Sequence, residues 1–95
     1  MKKGDRIKVT FTKDTLLVVY PKSDKRYREG CEEMFLEGQT LEFEILEIKN
    51  EGETIEVKFL SELYSIHYVG DKTFLFPSGF KNNDTYGRRQ YFKIS

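Results

Sequence analysis

The one cysteine, Cys31, and the one histidine, His67, make a nucleophile and base only if the fold brings them together. A lone histidine on an apolar strand is ordinarily a packed structural residue, and one cysteine excludes an intrachain disulfide. With a single His and a single Cys, a four-ligand zinc site of these types cannot be built. The neighbouring carboxylates Glu32 and Glu33 lie in a polar stretch without the apolar pocket that acid–base catalysis needs. Phosphate-cradling glycine loops, dinucleotide fingerprints and calcium loops are all missing from the sequence. These residues predict a non-enzyme that uses no metal and no cofactor.

Recognition chemistry is better represented. Sixteen basic and sixteen acidic side chains balance to a formal net charge of zero, yet the signs are segregated along the chain. Residues 1–29 carry +5, residues 30–63 carry −8 and residues 64–95 carry +3. Kept in space, this pattern predicts a positive and a negative surface that steer partners by sign. The acidic segment holds Glu42 and Glu44 two residues apart, with Glu56 on a partner strand. Alternate strand residues share a face at a spacing of about 6.6 Å, so these carboxylates form an acidic surface for a basic partner protein. Like charges facing each other across a hairpin oppose its folding, and phosphate mimicry is the sharpest version of this reading.

The basic ends interleave with aromatics. Lys8, Lys22, Lys25, Arg26 and Arg28 in the first third, and Arg88 and Arg89 near the end, accompany Tyr86 and Tyr91. Cations that hold phosphates beside rings that stack bases are the components of a single-stranded nucleic-acid site. A third feature is the stretch 63–76, which is apolar on both faces. If Gly70-Asp71 is a two-residue turn, Tyr64, Ile66, Tyr68 and Leu75 line one face, and His67, Val69, Phe74 and Phe76 line the other. A core uses one face. The other is covered by the chain itself or left as an exposed aromatic patch of the kind that marks interfaces.

The elements that position these groups are strands. Ile7, Val9 and Phe11 alternate with Lys8 and Thr10, the period of a half-buried strand. The run 16–20 is apolar on both faces and predicts a central strand ended by Pro21. Residues 21–39 form a long loop or flap, with Met34-Phe35-Leu36 as a helical turn or cover. Leu41, Phe43 and Ile45 alternate, then Ile55, Val57 and Phe59, with a turn at 50–53. The phase slips between Ile45 and Ile48, which predicts a β-bulge near Leu46. A last strand at 90–94 points Phe92 and Ile94 inward.

Six or seven short strands predict an all-β chain in which residues 1–95 form one small barrel domain, closure being the economical way to remove sheet edges. The opening Gly4-Asp5-Arg6-Ile7-Lys8-Val9, followed by a long second loop, resembles SH3-like barrels, with an OB-like barrel second. At this length roughly 65% of the chain's surface is buried on folding, enough for one core.

The sequence therefore predicts a cytoplasmic interaction module, monomeric or homodimeric. Its Lys- and Glu-heavy usage suits a low-GC bacterium or its phage. The predicted partner is another protein, held by Arg26, Tyr27, Arg28, Met34 and Phe35 of the loop, by Glu42, Glu44 and Glu56, and by Tyr64, His67, Tyr68, Phe74 and Phe76. Single-stranded nucleic acid on the basic, aromatic ends is the alternative.

Overall fold

The computed structural model describes residues 1–20, 31–60, 70–77 and 89–95, with Cys31 described by its backbone alone. Seven strands run through these segments: β1 (Arg6–Phe11), β2 (Thr15–Val19), β3 (Cys31–Phe35), β4 (Thr40–Lys49), β5 (Thr54–Phe59), β6 (Lys72–Leu75) and β7 (Phe92–Ile94). In β1, Ile7, Val9 and Phe11 are buried while Arg6 and Lys8 are exposed, as a period of two requires.

Strands β4 and β5 form the predicted hairpin. Phe43 faces Phe59 and Ile45 faces Val57, and the register then shifts between Ile45 and Glu47. Leu46 is the extra residue of this bulge, which lets Ile48 pack against the core again. The turn runs through Asn50, Glu51 and Gly52 at φ of 53°, 58° and 95°. Three consecutive left-handed residues reverse the chain here, a conformation only glycine adopts without cost.

The segment 31–36 is not the expected helical turn or flap. β3 is a strand paired antiparallel with β2, Thr15 facing Phe35 and Leu17 facing Glu33. The reason is local: Leu36 N–H donates to Gln39 Oε1 at 2.6 Å, Gln39 N–H to the Leu36 carbonyl at 3.1 Å and Glu37 N–H to Asp14 Oδ1 at 2.9 Å. These bonds make 36–39 a tight turn into β4 and leave 31–35 extended. Of the predicted long loop, residues 21–30 lie outside the described residues.

β6 is formed by the end of the apolar stretch 63–76. Its partner is β5, with Ile55 opposite Leu75 and Val57 opposite Thr73. Its other edge is occupied: Tyr20 and Lys72 exchange backbone bonds of 2.8 and 3.1 Å, and the Gln90 side chain takes the Phe74 carbonyl and the Phe76 N–H. The predicted partner strand within 63–69 lies outside the described residues. Thr73 and Leu75 point inward and Phe74 points outward.

The strand order is β6-β5-β4-β1-β7 in a five-stranded sheet, with β2-β3 as a separate pair. Neither sheet closes on itself into the expected barrel. Between β2 and β6 the ladder shrinks to the Tyr20–Lys72 bridge, and buried polar side chains make the remaining joints. Thr73 Oγ1 donates to the Val18 carbonyl at 2.8 Å, and Thr15 Oγ1 accepts from Tyr91 N–H at 3.2 Å. Phenylalanines clamp the sheets together: Phe35 of β3 stacks on Phe11 of β1 at 5.5 Å and on Phe59 of β5 at 6.0 Å. The β2-β3 pair is thereby fixed over the larger sheet, with its opposite face turned outward.

Candidate interaction surfaces

The outer face of the five-stranded sheet is where the predicted acidic surface lies, and its charges alternate. Arg6 of β1 stands opposite Glu44 of β4, and Lys8 stands opposite Glu42. On the other side Glu44 faces Lys58, 3.6 Å away. Glu56, whose side chain is 16% exposed, lies 3.5 Å from Lys49 and 3.7 Å from Lys72. Antiparallel pairing thus sets the basic first segment and Lys49, Lys58 and Lys72 against the acidic one. Charge segregation along the sequence becomes interleaving in space around Glu42, Glu44 and Glu56, and no uniformly negative surface forms there. The repulsion expected on this hairpin survives at one pair, Glu47 opposite Glu56. Lys49 relieves it, at 3.9 Å from the first carboxylate and 3.5 Å from the second.

A second surface is apolar. With Leu17, Val19 and Phe35 turned into the core, the opposite face of β2-β3 carries Leu16 and Val18 on one strand and Met34 on the other, Leu16 directly facing Met34. Leu36 follows in the turn. Met34 is 53% and Leu36 47% exposed, while Leu16, Val18 and Tyr20 are half-buried. Tyr20 extends this face to β6, where its ring meets Phe74 edge-on at 5.6 Å. The result is an apolar belt running from Leu36 and Met34 through Leu16 and Val18 to Tyr20 and Phe74. Asp14 and Glu37 flank the Leu36 end, Glu32 stands opposite Val18 within the face, and Lys72 flanks the Tyr20 end.

The third surface gathers cations around a ring. Lys13 Nζ lies 5.1 Å from the centroid of Tyr91, and Arg89 Cζ lies 5.7 Å from it. Tyr91 is half-buried, whereas Lys13 and Arg89 are exposed.

The predicted residues divide accordingly. Met34 and Phe74 belong to the apolar belt. Phe35 is a correction: its ring is 0% exposed in the core and cannot touch a partner. Phe76 is half-buried at the end of β6, with its N–H held by Gln90. Arg89 and Tyr91 are brought together, and Lys8 is exposed on β1. Lys22, Lys25, Arg26, Tyr27, Arg28, Tyr64, His67, Tyr68, Tyr86 and Arg88 lie outside the described residues, as does the Cys31–His67 dyad. Leu16, Val18, Tyr20 and Leu36 are belt residues that the sequence reading did not select. The run 16–20 is apolar at every position, but the expected central strand is instead one half of the separate β2-β3 pair, and its outer face is only half-buried.

Among the described residues no group of three or more His, Cys, Asp or Glu side chains is placed to hold a metal ion. No helix among them is long and apolar enough to cross a membrane. No protein-family model matches the chain, and neither a curated protein nor a solved structure matches it.

Proposed function

We propose that the protein is a non-enzymatic, cytoplasmic interaction module that binds a partner protein through the apolar belt. The observation that carries this reading is the exposure of Met34 and Leu36, 53% and 47%, on a sheet face that is apolar at Leu16 and Val18 as well. Contiguous apolar surface on a small domain marks an interface. Full burial of a Met or Leu side chain contributes about 1.5–3 kcal/mol; with half of each already covered, contact with a partner adds roughly 1 kcal/mol per residue. Tyr20 and Phe74 supply the aromatic anchors that dominate interface energetics. The charges at the two ends of the belt set the partner's orientation more than its affinity. In this reading the occupant is an apolar strand or helix face of another protein.

The same topology favours an SH3-like over an OB-like subtype. The last strand pairs with the first, β4, β5 and β6 follow one another as an antiparallel meander, and the long excursion between β1 and β4 is itself the β2-β3 hairpin.

The test is an affinity capture from nuclease-treated lysate with wild type and a Met34→Lys/Leu36→Lys variant, followed by binding of the purified captured protein. The expected result is a discrete protein bound at least about tenfold more weakly by the variant, the equivalent of about 1.4 kcal/mol. Equal binding by a variant with an unchanged circular dichroism spectrum removes the belt as the interface.

A further inference from the structure

The cations among the described residues fall into two groups. Lys49, Lys58 and Lys72 each lie within 3.9 Å of a carboxylate. Lys13, Arg89 and Lys93 make no ion pair with any carboxylate among the described residues. The carboxylate nearest in sequence to Lys13, that of Asp14, is turned away to accept the Glu37 N–H at 2.9 Å. Lys8 is also outside ion-pair reach, although Glu42 stands opposite it in register. Among the described residues, unpaired positive charge therefore lies in two places: on Lys2, Lys3, Arg6 and Lys8 of the first segment and β1, and on Lys13, Arg89 and Lys93 of the β1–β2 turn and the β7 segment.

An aromatic ring sits at the centre of the second set, on a fixed backbone. Tyr91 N–H donates to Thr15 Oγ1 at 3.2 Å, and the Tyr91 carbonyl accepts from Thr12 N–H at 3.1 Å. Thr15 Oγ1 in turn donates to the Lys13 carbonyl at 2.9 Å. The β1–β2 turn and the segment leading into β7 are thus one unit that places Lys13 beside the ring, with Arg89 also over it at 5.7 Å. Two residues along, on the same outward side of the extended chain, stands Lys93, about 6.6 Å further on. Thr10 faces Lys93 across the ladder.

We propose that Tyr91, with Lys13, Arg89 and Lys93, is a binding site for single-stranded nucleic acid, in which a base stacks on the Tyr91 ring and the cations hold the adjoining phosphates. A ring flanked by unpaired cations is the combination that sequence-tolerant single-strand sites use. An acidic peptide would neutralise the cations but leave the ring without a partner; a nucleotide engages both. Lys13, exposed and on a flexible stem, releases the ring to the base and moves its ammonium to phosphate. Arg89 stays stacked or follows it.

None of these four residues belongs to the apolar belt, so the two proposals fail separately. The experiment is fluorescence anisotropy of the full chain with a labelled oligothymidine and a labelled oligouridine across a salt series. The expected Kd at low salt lies between about 1 and 100 µM, with a log–log salt slope near about −2 for three phosphate contacts. Lys93→Ala lowers that slope by about 0.7. Tyr91→Ala weakens binding about 5- to 100-fold with the slope unchanged, and Tyr91→Phe binds as wild type. Met34→Lys/Leu36→Lys also binds as wild type. Lys13 and Lys93 are exposed, so their variants keep the test intact if Tyr91→Ala fails to fold. Absence of binding at low salt overturns the proposal. So does equal affinity for duplex DNA, heparin or polyglutamate, since each shows charge without stacking.

Discussion

The side-chain amide of Gln90 is bonded to Phe74 as a strand would be: its Nε2 donates to the Phe74 carbonyl at 3.1 Å while its Oε1 accepts the Phe76 N–H at 2.9 Å. One glutamine replaces a rung of ladder at the edge of β6, where β2 has already diverged beyond its single bridge. Thr73 and Thr15 do the same at the other joints. Each of these three side chains is at least nine-tenths buried and each bonds a main-chain group. They satisfy backbone polar groups that a ladder would otherwise have paired.

Gln90→Ala should therefore be among the most damaging single polar substitutions. It strands one carbonyl and one N–H near the core, at a cost of about 1–3 kcal/mol each if both remain dry. We expect a loss of about 2–4 kcal/mol in urea unfolding, and a fall in Tm of roughly 10–20 °C for a domain of this size. Amide exchange at Phe76 should accelerate more than at Val57, in the middle of β5. A loss below about 0.5 kcal/mol would show that the joint is not structural.

Phe35 should be worth more still, because it holds the smaller sheet to the larger one through Phe11 and Phe59. Phe35→Ala is expected to cost about 3–5 kcal/mol, against a total stability of about 5–15 kcal/mol for domains of this kind. Phe35→Leu, which keeps most of the volume, should cost about 1–2 kcal/mol and leave the fold intact. Near-ultraviolet circular dichroism and denaturant midpoints distinguish the two. An equal, small loss in both would mean that β2-β3 is not clamped by this ring.

The alternating segments of the sequence were legible because one face is wet and the other dry. Ile7, Val9 and Phe11, the β4-β5 hairpin, the bulge at Leu46 and the inward Phe92 and Ile94 follow from period two alone. The fate of the charges was not legible, because cross-strand pairing depends on which strands become neighbours. The order β6-β5-β4-β1-β7 sets Arg6 and Lys8 beside Glu44 and Glu42 although the chain separates them widely. Residues 16–20 and 34–36 were not legible for another reason. A strand apolar on both faces looks the same whether its outer face is covered or offered to a partner, and Met34-Phe35-Leu36 has no alternation to exploit. Gln90 gave no signal at all, since a buried amide that mimics a strand looks like an ordinary polar residue.

The β4-β5 turn supports a sharper prediction. Gly52 adopts a φ of 95° with open space around its Cα, and Glu51 adopts a φ of 58°. Any penalty for a side chain at Gly52 is conformational, not steric contact with neighbours. Gly52→Ala should cost about 1–2 kcal/mol. Glu51→Gly and Glu51→Asn should instead stabilise the hairpin, by up to about 1 kcal/mol, because both residues tolerate the left-handed region better. Opposite signs at adjacent positions, read from denaturant midpoints, would establish that the turn is held in this conformation.

Lys49 is the place to measure how far interleaving stabilises the sheet. Its ammonium reaches Glu47, Glu56 and the ring of Phe74, the last at 5.4 Å. A double-mutant cycle between Lys49→Ala and Glu56→Gln separates the ion pair from the ring contact. Lys49 is exposed enough for water to screen it, so a coupling of about 0.5–1 kcal/mol is expected. It should shrink toward zero in about 1 M salt, where the Debye length falls to about 3 Å. The ring contact should survive that salt, leaving Lys49→Ala destabilising by a few tenths of a kcal/mol. In the Glu56→Gln background, removing Lys49 should also cost less than in wild type, because the Glu47–Glu56 repulsion it relieves is gone. A cycle with no coupling at low salt would mean that the lysines merely separate the carboxylates, and that the outer face of the sheet owes its stability to the β-ladder alone.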